Sequence, residues 1–297
     1  MSDWRAALAP FLIAPLRAAL DALDADAVAT ATELRLRAGG IPQLCMNGKM
    51  HQLPLDALPP ADIRAMAGAM LGHAAHARQE ELRQGFVTLP GGFRAGFAGR
   101  AVVKEGRLHA LQDIASLAVR IARAVPGAAD ALLPHLIHDD RPLSALIISP
   151  PGLGKTTLLR DAARQLSGRG LAVSVVDERS EIAACADGVP TLDVGANTDV
   201  LDGCPKAEGM RLMLRAMAPQ VLITDEIGRA EDVAAVAEAL RCGVAVLASA
   251  HAGGYADLRQ SPLLVQLLGA GGFQRVLLLA KLGQVGAVYS AEGDIIA

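Results

Sequence analysis

The segment SALIISPPGLGKTTLLRD, residues 144–161, constrains the fold of this chain more than any other. A short apolar run predicts a buried strand, the glycines predict a tight loop, and the residues from Lys155 onward predict a helix. Gly152 and Gly154 allow the backbone to curl so that its N–H groups point towards the oxygens of a phosphate. The positive end of the helix dipole lies at the same place. The segment therefore predicts a phosphate-binding loop in an α/β domain.

The loop differs from the usual G-x-x-x-x-G-K-[ST] spacing at its first position, where Ser149 replaces glycine. That glycine has mainly a conformational task, and a small residue followed by two prolines can hold the same turn. Lys155 is expected to reach the β and γ phosphates of ATP, and the hydroxyl of Thr156 to bind Mg²⁺. The predicted ATP-binding residues of the loop are Pro151, Gly152, Leu153, Gly154, Lys155, Thr156 and Thr157.

Two adjacent acids follow a later apolar run, in QVLITDEIGR, residues 220–229. A phosphate loop needs an acidic partner at the end of a neighbouring strand, and Asp225 is predicted to hold the Mg²⁺ shell there. Glu226 is placed to orient and polarise an attacking water as the catalytic acid–base residue. An adjacent pair of acids favours hydrolysis over phosphoryl transfer to a small molecule. The competing interpretation is a strand that ends in two solvated acids.

Two further segments are expected to bring polar side chains to the same edge of the sheet. Asp177, Glu178 and Glu181, in VVDERSEIA, follow the strand after the phosphate-loop helix, where they could hold a water of Mg²⁺ or align the attacking water. His251, in VLASAHAGG, follows another strand and could contact the γ-phosphate, as could Ser249. The alternatives are a capped helix start with solvated acids, and a histidine satisfied by its own neighbours.

The organisation of the chain changes near residue 125. Residues 1–125 contain short strand-like segments with glycine turns, including the hairpin dipeptide Asn47-Gly48, and are predicted to form a small α+β domain. Residues 126–297 alternate apolar strands with helices, which predicts a mostly parallel sheet covered on both faces. Within this part, residues 186–205 are rich in Asp, Gly and Asn and are expected to form a loop. The predicted fold class is α/β, a RecA-like P-loop NTPase core preceded by the α+β domain.

Composition restricts the partners and the location. The net charge of −3 and the aromatic content of 3% give no footprint for direct nucleic-acid binding. The N-terminal 23 residues carry too much charge for a signal peptide and are predicted to form an amphipathic helix. We expect no transmembrane segment and a cytoplasmic protein, with any association with a membrane made through a partner.

Several segments together resemble one family. PGGFRAGFAGRAV, DIASLAVRIAR, PPGLGKTTLLRD, VVDERSEIA, DVLDGCPKAEGM and TDEIGRAED are similar to the stage III sporulation protein AA family, from about Glu33 to the C-terminus. Members are relatives of the ring-forming ATPases of type II and type IV secretion and of pilus retraction. Several of these segments lie outside the nucleotide site, so the resemblance is more specific than a phosphate loop alone. Members usually have glycine at the position of Ser149.

The resemblance implies a hexameric ATPase motor with a membrane-anchored partner, at the channel between mother cell and forespore. It also implies that the acids from Asp177 to Glu181 form the acidic box of secretion ATPases and that His251 lies near their histidine box. In such rings an N-terminal domain supplies arginines to the neighbouring nucleotide. Arg94 and Arg100, in a glycine-rich hairpin, are the candidates to act in trans. Residues 114–125 are expected to form a linker helix that carries two further arginines, Arg120 and Arg123, one turn apart. Surface salt bridges are the alternative for each.

Three functions stay open at this point. The first is an oligomeric ATPase that converts hydrolysis into movement of a transport or assembly partner. The second is a nucleic-acid-dependent ATPase on a RecA-like fold, which single-stranded DNA or RNA would stimulate. The third is a scaffold that binds ATP and hardly turns it over. Since this architecture serves all three, the fold alone does not choose among them.

Overall fold

The structure is a computed structural model that describes residues 3–72, 85–104, 106–121, 124–185, 188–269 and 272–297. The chain divides into two compact units, Met1–Arg123 and Ala124–Ala297. Each unit has its own hydrophobic core. In the part of the chain that the structure describes, we find no helix whose length and apolar character would let it cross a bilayer.

Unit 1 is an antiparallel six-stranded sheet in the order β3-β2-β1-β6-β5-β4. Its strands are β1 (Ala31–Arg37), β2 (Gln43–Met46), β3 (Lys49–Gln52), β4 (Phe86–Leu89), β5 (Phe93–Lys104) and β6 (Arg107–Arg120). Its helices are α1 (Trp4–Leu8), α2 (Ala14–Asp21), α3 (Ala25–Thr30) and α4 (Pro60–Leu71). Asn47 and Gly48 both have positive φ, which the tight turn between β2 and β3 requires. The core contains buried leucines of α2 and β1, such as Leu16 and Leu34.

Two expectations for this unit are wrong. The amphipathic helix predicted at the N-terminus is divided into α1, a 3₁₀ turn at Ala9–Phe11 and α2, because Pro10 and Pro15 lack the N–H that a continuous helix needs. Residues 114–125 were expected to form a helix, but their first part belongs to β6. Leu117 and Val119 alternate into the core, and Leu117 is paired with strands on both sides.

Gly99 in β5 should not tolerate a side chain. A Cβ there would lie 2.5 Å from the carbonyl oxygen of Gln112 and 2.7 Å from that of Asp113, both backbone atoms of β6. We expect Gly99→Ala to lower the free energy of unfolding by about 1–3 kcal/mol, measured by urea denaturation. Gly68→Ala, in an exposed and open position of α4, is the control and should gain up to about 1 kcal/mol. Equal stability of the two variants would contradict this packing.

Unit 2 is an α/β unit around a seven-stranded sheet in the order β11-β10-β12-β13-β9-β14-β15. All neighbours are parallel except β14 and β15. The strands are β7 (Ile137–His138) and β8 (Arg141–Pro142), which pair with each other, and then β9 (Ala145–Ser149), β10 (Val173–Asp177), β11 (Thr198–Asp202), β12 (Val221–Thr224), β13 (Ala245–His251), β14 (Arg275–Lys281) and β15 (Gln284–Tyr289). The helices are α5 (Leu133–Leu136), α6 (Lys155–Gly168), α7 (Lys206–Met217), α8 (Ala230–Arg241), α9 (Tyr255–Gln260) and α10 (Pro262–Gly269).

The sheet of unit 2 is covered on both faces. Ile147 in β9 belongs to a core with α6, whereas its neighbour Ile148 belongs to a second core with α7 and α8. This alternation explains why the parallel strands are apolar throughout, as the sequence predicted. The stretch 186–205, expected to be a loop, contains β11, which is an edge strand of the seven-stranded sheet. The carboxyl ends of β10, β12, β13 and β9 lie side by side in this order, and the site residues predicted for unit 2 lie at or just after those ends.

Candidate functional site

The loop between β9 and α6 is the first component of the site. Gly152 and Gly154 have φ of 81° and 89°, a left-handed conformation that glycine adopts without strain. Gly154 immediately precedes α6, so the first free N–H groups of a 14-residue helix face the loop. Pro151 and Gly152 are exposed, whereas Leu153, Gly154, Thr156 and Thr157 are half-buried. The amide of Gly283, in the turn between β14 and β15, donates to the carbonyl of Leu153 at 3.0 Å and supports the loop.

Lys155 points its amine back across the loop. Its Nζ lies 3.0 Å from the carbonyl oxygen of Ser149, 3.1 Å from Ser149 Oγ and 3.2 Å from the carbonyl oxygen of Pro150. Burial lowers the pKa of Lys155, and the charge of Glu226 opposes that shift. Ser149 therefore has a polar role that glycine could not supply, since its hydroxyl contacts the ammonium group of the loop lysine.

His251 connects the loop to the acids of β12. The register of β13 and β9 places His251 beside Ser149. Nδ1 of His251 lies 3.0 Å from Lys155 Nζ, and Nε2 of the same ring lies 3.0 Å from Glu226 Oε1. Since an ammonium group only donates, this geometry is satisfied when Nδ1 accepts and the Nε2 proton is donated to the carboxylate. A continuous polar chain thus joins Lys155 to Glu226.

Glu226 is held at both carboxylate oxygens. Besides His251, Arg179 Nη1 lies 2.9 Å from Glu226 Oε2, and the backbone N–H of Glu226 donates to Ser249 Oγ at 3.0 Å. Burial alone would raise the pKa of Glu226, but the hydrogen bond from His251 and the charge of Arg179 lower it below its ordinary value. Its φ of 30° is a strained value for a residue with a side chain. Glu226 is thus ionised, aimed and partly accessible.

An open cavity of about 370 Å³ lies beside these groups. Arg179, Glu226 and His251 line it from the sheet edge, and Ser261 and Leu264 line it from the segment that contains α10. The carboxylate of Glu226 can therefore be reached by a small molecule or a water.

Asp225 differs sharply from its neighbour. It is 1% exposed, and neither of its carboxylate oxygens accepts a hydrogen bond from any residue that the structure describes. Lys206 Nζ lies 3.3 Å from Asp225 Oδ1. Burial raises the pKa of Asp225, although the charge of Lys206 opposes the shift. Since the ion pair with Lys206 involves Oδ1, the buried carboxylate keeps acceptor capacity, at Oδ2 above all, for a ligand or for the water shell of a cation.

The acids after β10 have separate tasks. Asp177 is buried and accepts three backbone N–H groups, from Glu181 at 2.8 Å and from Ile182 and Ala183 at 2.9 Å. It therefore shapes the loop that follows, and the buried Arg160 helps by donating to the carbonyl oxygens of Glu181 and Ile182. Burial lowers the pKa of Arg160 to about 10.

Glu178 is ion-paired within the unit. Its Oε2 lies 2.7 Å from Lys206 Nζ, and its Oε1 lies 3.7 Å from Arg229 Nη1. No local pattern predicts the contacts that Arg160, Arg179 and Lys206 make at this edge. Lys206 lies in PKAEGM, within one of the segments that carry the family resemblance.

The proposed trans arginines lie in unit 1, on β5. The guanidinium of Arg94 lies 4.2 Å from the centre of the Phe86 ring. Arg100 is exposed, with its Nη2 2.9 Å from Gln112 Oε1 and its Nε 3.2 Å from Asp113 Oδ2. Arg120, expected on a linker helix, ends β6 instead, and Arg123 lies outside the described residues.

Asp177 should make the stability of the protein depend on pH. Burial raises the pKa of Asp177 to about 6 from 3.8, and the nearby Asp225 and Asp202 act in the same direction, against the backbone N–H groups of Ala183 and Glu181. A carboxyl with a higher pKa in the folded chain binds more protons when folded. We therefore expect stability to fall by about 1–3 kcal/mol as pH rises from about 4 to about 6. Urea unfolding of wild type and Asp177→Asn checks this, and a constant difference between them over that range would contradict it.

The family model for sporulation stage III, protein AA matches residues 4–296. Stage III sporulation protein AA of Bacillus subtilis (strain 168) is 42% identical over 273 residues, which cover 89% of this chain and 88% of that protein.

Two solved structures share the fold at low sequence identity. The ATPase DotB of Legionella pneumophila gives a TM-score of 0.57 at 17% identity, over 84% of this chain and 72% of that chain. The pilus retraction motor PilT, solved with bound ADP, gives a TM-score of 0.58 at 16% identity, over 93% of this chain and 80% of that chain.

Proposed function

The chain belongs to the sporulation stage III protein AA family, and from that premise we propose that it is a Mg²⁺-dependent, ring-forming ATPase that energises a transport or assembly channel. One observation carries the proposal. The parallel sheet brings the glycine loop, a lysine, a histidine and two adjacent acids to one edge, where Lys155, His251 and Glu226 form a hydrogen-bonded chain.

The loop is the proposed site of the triphosphate. The backbone N–H groups from Gly152 to Thr157 that are not bonded within the helix would bind phosphate oxygens, assisted by the dipole of α6. Lys155 would exchange its contacts with Ser149 and Pro150 for phosphate oxygens, which is favourable because an ammonium group binds phosphate more strongly than a neutral carbonyl. Thr157, on the first turn of the helix, is the last of the proposed phosphate-binding residues of the loop.

The residues present fit a magnesium ion. Magnesium is usually held by one or two protein oxygens together with phosphate oxygens and water, and it neutralises charge that develops on the phosphates. The hydroxyl of Thr156 and the carboxylate of Asp225 would hold it, and the buried oxygens of Asp225 that accept no hydrogen bond within the described chain support this assignment.

Glu226 would orient the attacking water and accept its proton. Its ionised carboxylate is aimed by Arg179 and His251, and the adjoining cavity gives water access to it. When Lys155 turns to the phosphates, His251 loses one partner, and its Nδ1, which is an acceptor in this tautomer, becomes available to accept a hydrogen bond from water. His251 would thereby connect the state of the nucleotide to Glu226.

Membership of the family supports a ring and a membrane partner as parts of the proposal. We propose a homo-oligomer, with six subunits as in the related secretion motors, and a membrane-embedded partner that forms the channel between mother cell and forespore. Arg94 and Arg100 are the candidates to reach the nucleotide of a neighbouring subunit, because a trans arginine stabilises charge in the transition state.

ATP turnover by the purified 297-residue chain tests the proposal. We expect phosphate release that depends on Mg²⁺ and stops with EDTA, and a particle mass, measured by light scattering, that rises with ATP. Turnover that appears only with single-stranded DNA or RNA would instead support a nucleic-acid-dependent ATPase. A monomer that binds ATP without turnover would support a scaffold and overturn the motor.

A further inference from the structure

Lys206 is a buried lysine that faces two carboxylates of the site. It is the first residue of α7 and is 4% exposed. Its Nζ lies 2.7 Å from Glu178 Oε2 and 3.3 Å from Asp225 Oδ1. We propose that Lys206 is a positioning residue, a fixed internal cation that holds the carboxylates of Glu178 and Asp225 at the sheet edge. The inference deepens the proposed function, in which Asp225 would hold Mg²⁺.

The backbone fixes the position of this lysine. Pro205 precedes α7 with φ of −52°, a value suited to starting a helix. One turn later, Gly209 lies so close to the sheet that a Cβ there would be 2.6 Å from Val176 Cγ1 and 3.2 Å from Leu201 Cδ2. The glycine thus lets α7 approach β10 and β11 closely. As a result, the side chain at the start of α7 lies against the ends of β10 and β12.

The charges at this edge require a compensating cation. Asp177 and Asp225 are buried, and Glu178 and Glu226 lie beside them. Asp177 accepts hydrogen bonds from backbone N–H groups and Glu226 is ion-paired with Arg179, whereas the ion pair that the structure gives Asp225 is the one with Lys206. A buried carboxylate without a partner is costly. Lys206 therefore occupies a place to which a free cation would otherwise be drawn.

This role predicts what happens when only the charge is removed. Lys206→Met keeps most of the volume of the side chain but leaves Glu178 and Asp225 without their shared cation. A divalent cation should then bind to the two carboxylates even without nucleotide. Nucleotide affinity should change little, because the loop residues are untouched, whereas turnover should fall because Asp225 is no longer held in place.

The test uses Mn²⁺ as the probe, with the free ion measured by electron paramagnetic resonance and no nucleotide present. We expect Lys206→Met to bind Mn²⁺ at least about tenfold more tightly than wild type, since one unit charge at this distance has been removed. Lys49→Met, the same change at an exposed lysine of β3, should match wild type. With ATP and Mg²⁺, we expect kcat of Lys206→Met to fall about 10–100-fold, while its affinity for a fluorescent ATP analogue stays nearly unchanged. Lys206→Arg, which keeps the positive charge, should recover part of the lost kcat.

Two results would overturn the inference: Mn²⁺ affinity of Lys206→Met equal to that of wild type, or turnover within about twofold of wild type. If Lys206→Met does not fold, the double variant Glu178→Gln/Lys206→Met, which removes one charge of each sign, is used for the turnover measurement. The proposed function fails separately, by absent turnover in wild type. In that case the Mn²⁺ measurement still decides the role of Lys206.

Discussion

Replacing Glu226 with glutamine should lower kcat for ATP hydrolysis by about 10²–10⁴-fold, the usual contribution of a positioned general base. Glutamine has the same shape but cannot accept the proton of the attacking water. The hydrogen bond from His251 and the charge of Arg179 outweigh the effect of burial and lower the pKa of Glu226, so the wild-type carboxylate is ionised at neutral pH. Steady-state phosphate release at saturating ATP measures the effect.

The binding of ATP by Glu226→Gln should be retained, because no loop residue is changed. We therefore expect ATP-dependent assembly to persist and to last longer than in wild type, since the nucleotide is not consumed. Glu231→Gln is the matched control. Glu231 is an exposed glutamate in the first turn of α8, the helix that follows Glu226 in the chain. If Glu226→Gln retained more than roughly a tenth of wild-type turnover, Glu226 would not be the base.

Replacing Lys155 with methionine should weaken ATP binding by about 10–100-fold, because a charged hydrogen-bond donor contributes about 1.5–3 kcal/mol. The methionine fills the space of the aliphatic stem. The ammonium of Lys155 is buried and burial lowers its pKa, so the folded chain bears a cost to keep the charge. We therefore expect the thermal midpoint of Lys155→Met to stay close to that of wild type while its affinity for nucleotide falls.

Titration of a fluorescent ATP analogue, together with thermal unfolding without nucleotide, separates these two effects. Lys49→Met again controls for the loss of a lysine charge. If Lys155→Met lowered the free energy of unfolding by as much as it weakened the free energy of ATP binding, Lys155 would hold the loop together rather than bind phosphate. Unchanged nucleotide affinity would place the triphosphate elsewhere.

Much of the fold could be predicted because its signals are local. The strand, glycine loop and helix around Lys155 lie in one continuous segment, and the apolar strands of unit 2 are recognisable by their composition. The Asn47-Gly48 turn is likewise a property of two adjacent residues. The adjacent acids Asp225 and Glu226 follow directly from the end of β12, so their place at the sheet edge was predictable as well.

Residues 114–125 show where local signals fail. Their aliphatic residues fit helical spacing, yet Leu117 and Val119 also fit the alternation of a strand. The choice is made by β1 and β5, which pair with β6 on both sides. Those partners are far away in sequence, so the pattern of the segment alone could not decide.

The parallel α/β order, the glycine loop and the two acids after β12 are all specified by local patterns. The partners of the acids depend instead on the folded chain: Asp177 bonds to backbone N–H groups, Glu226 to Arg179 and His251, and Glu178 and Asp225 contact Lys206. This is because a charged group pairs with the groups that the order of strands brings within a few ångström. Arg179 and Glu226 are separated by 47 residues and meet because β10 and β12 are neighbours.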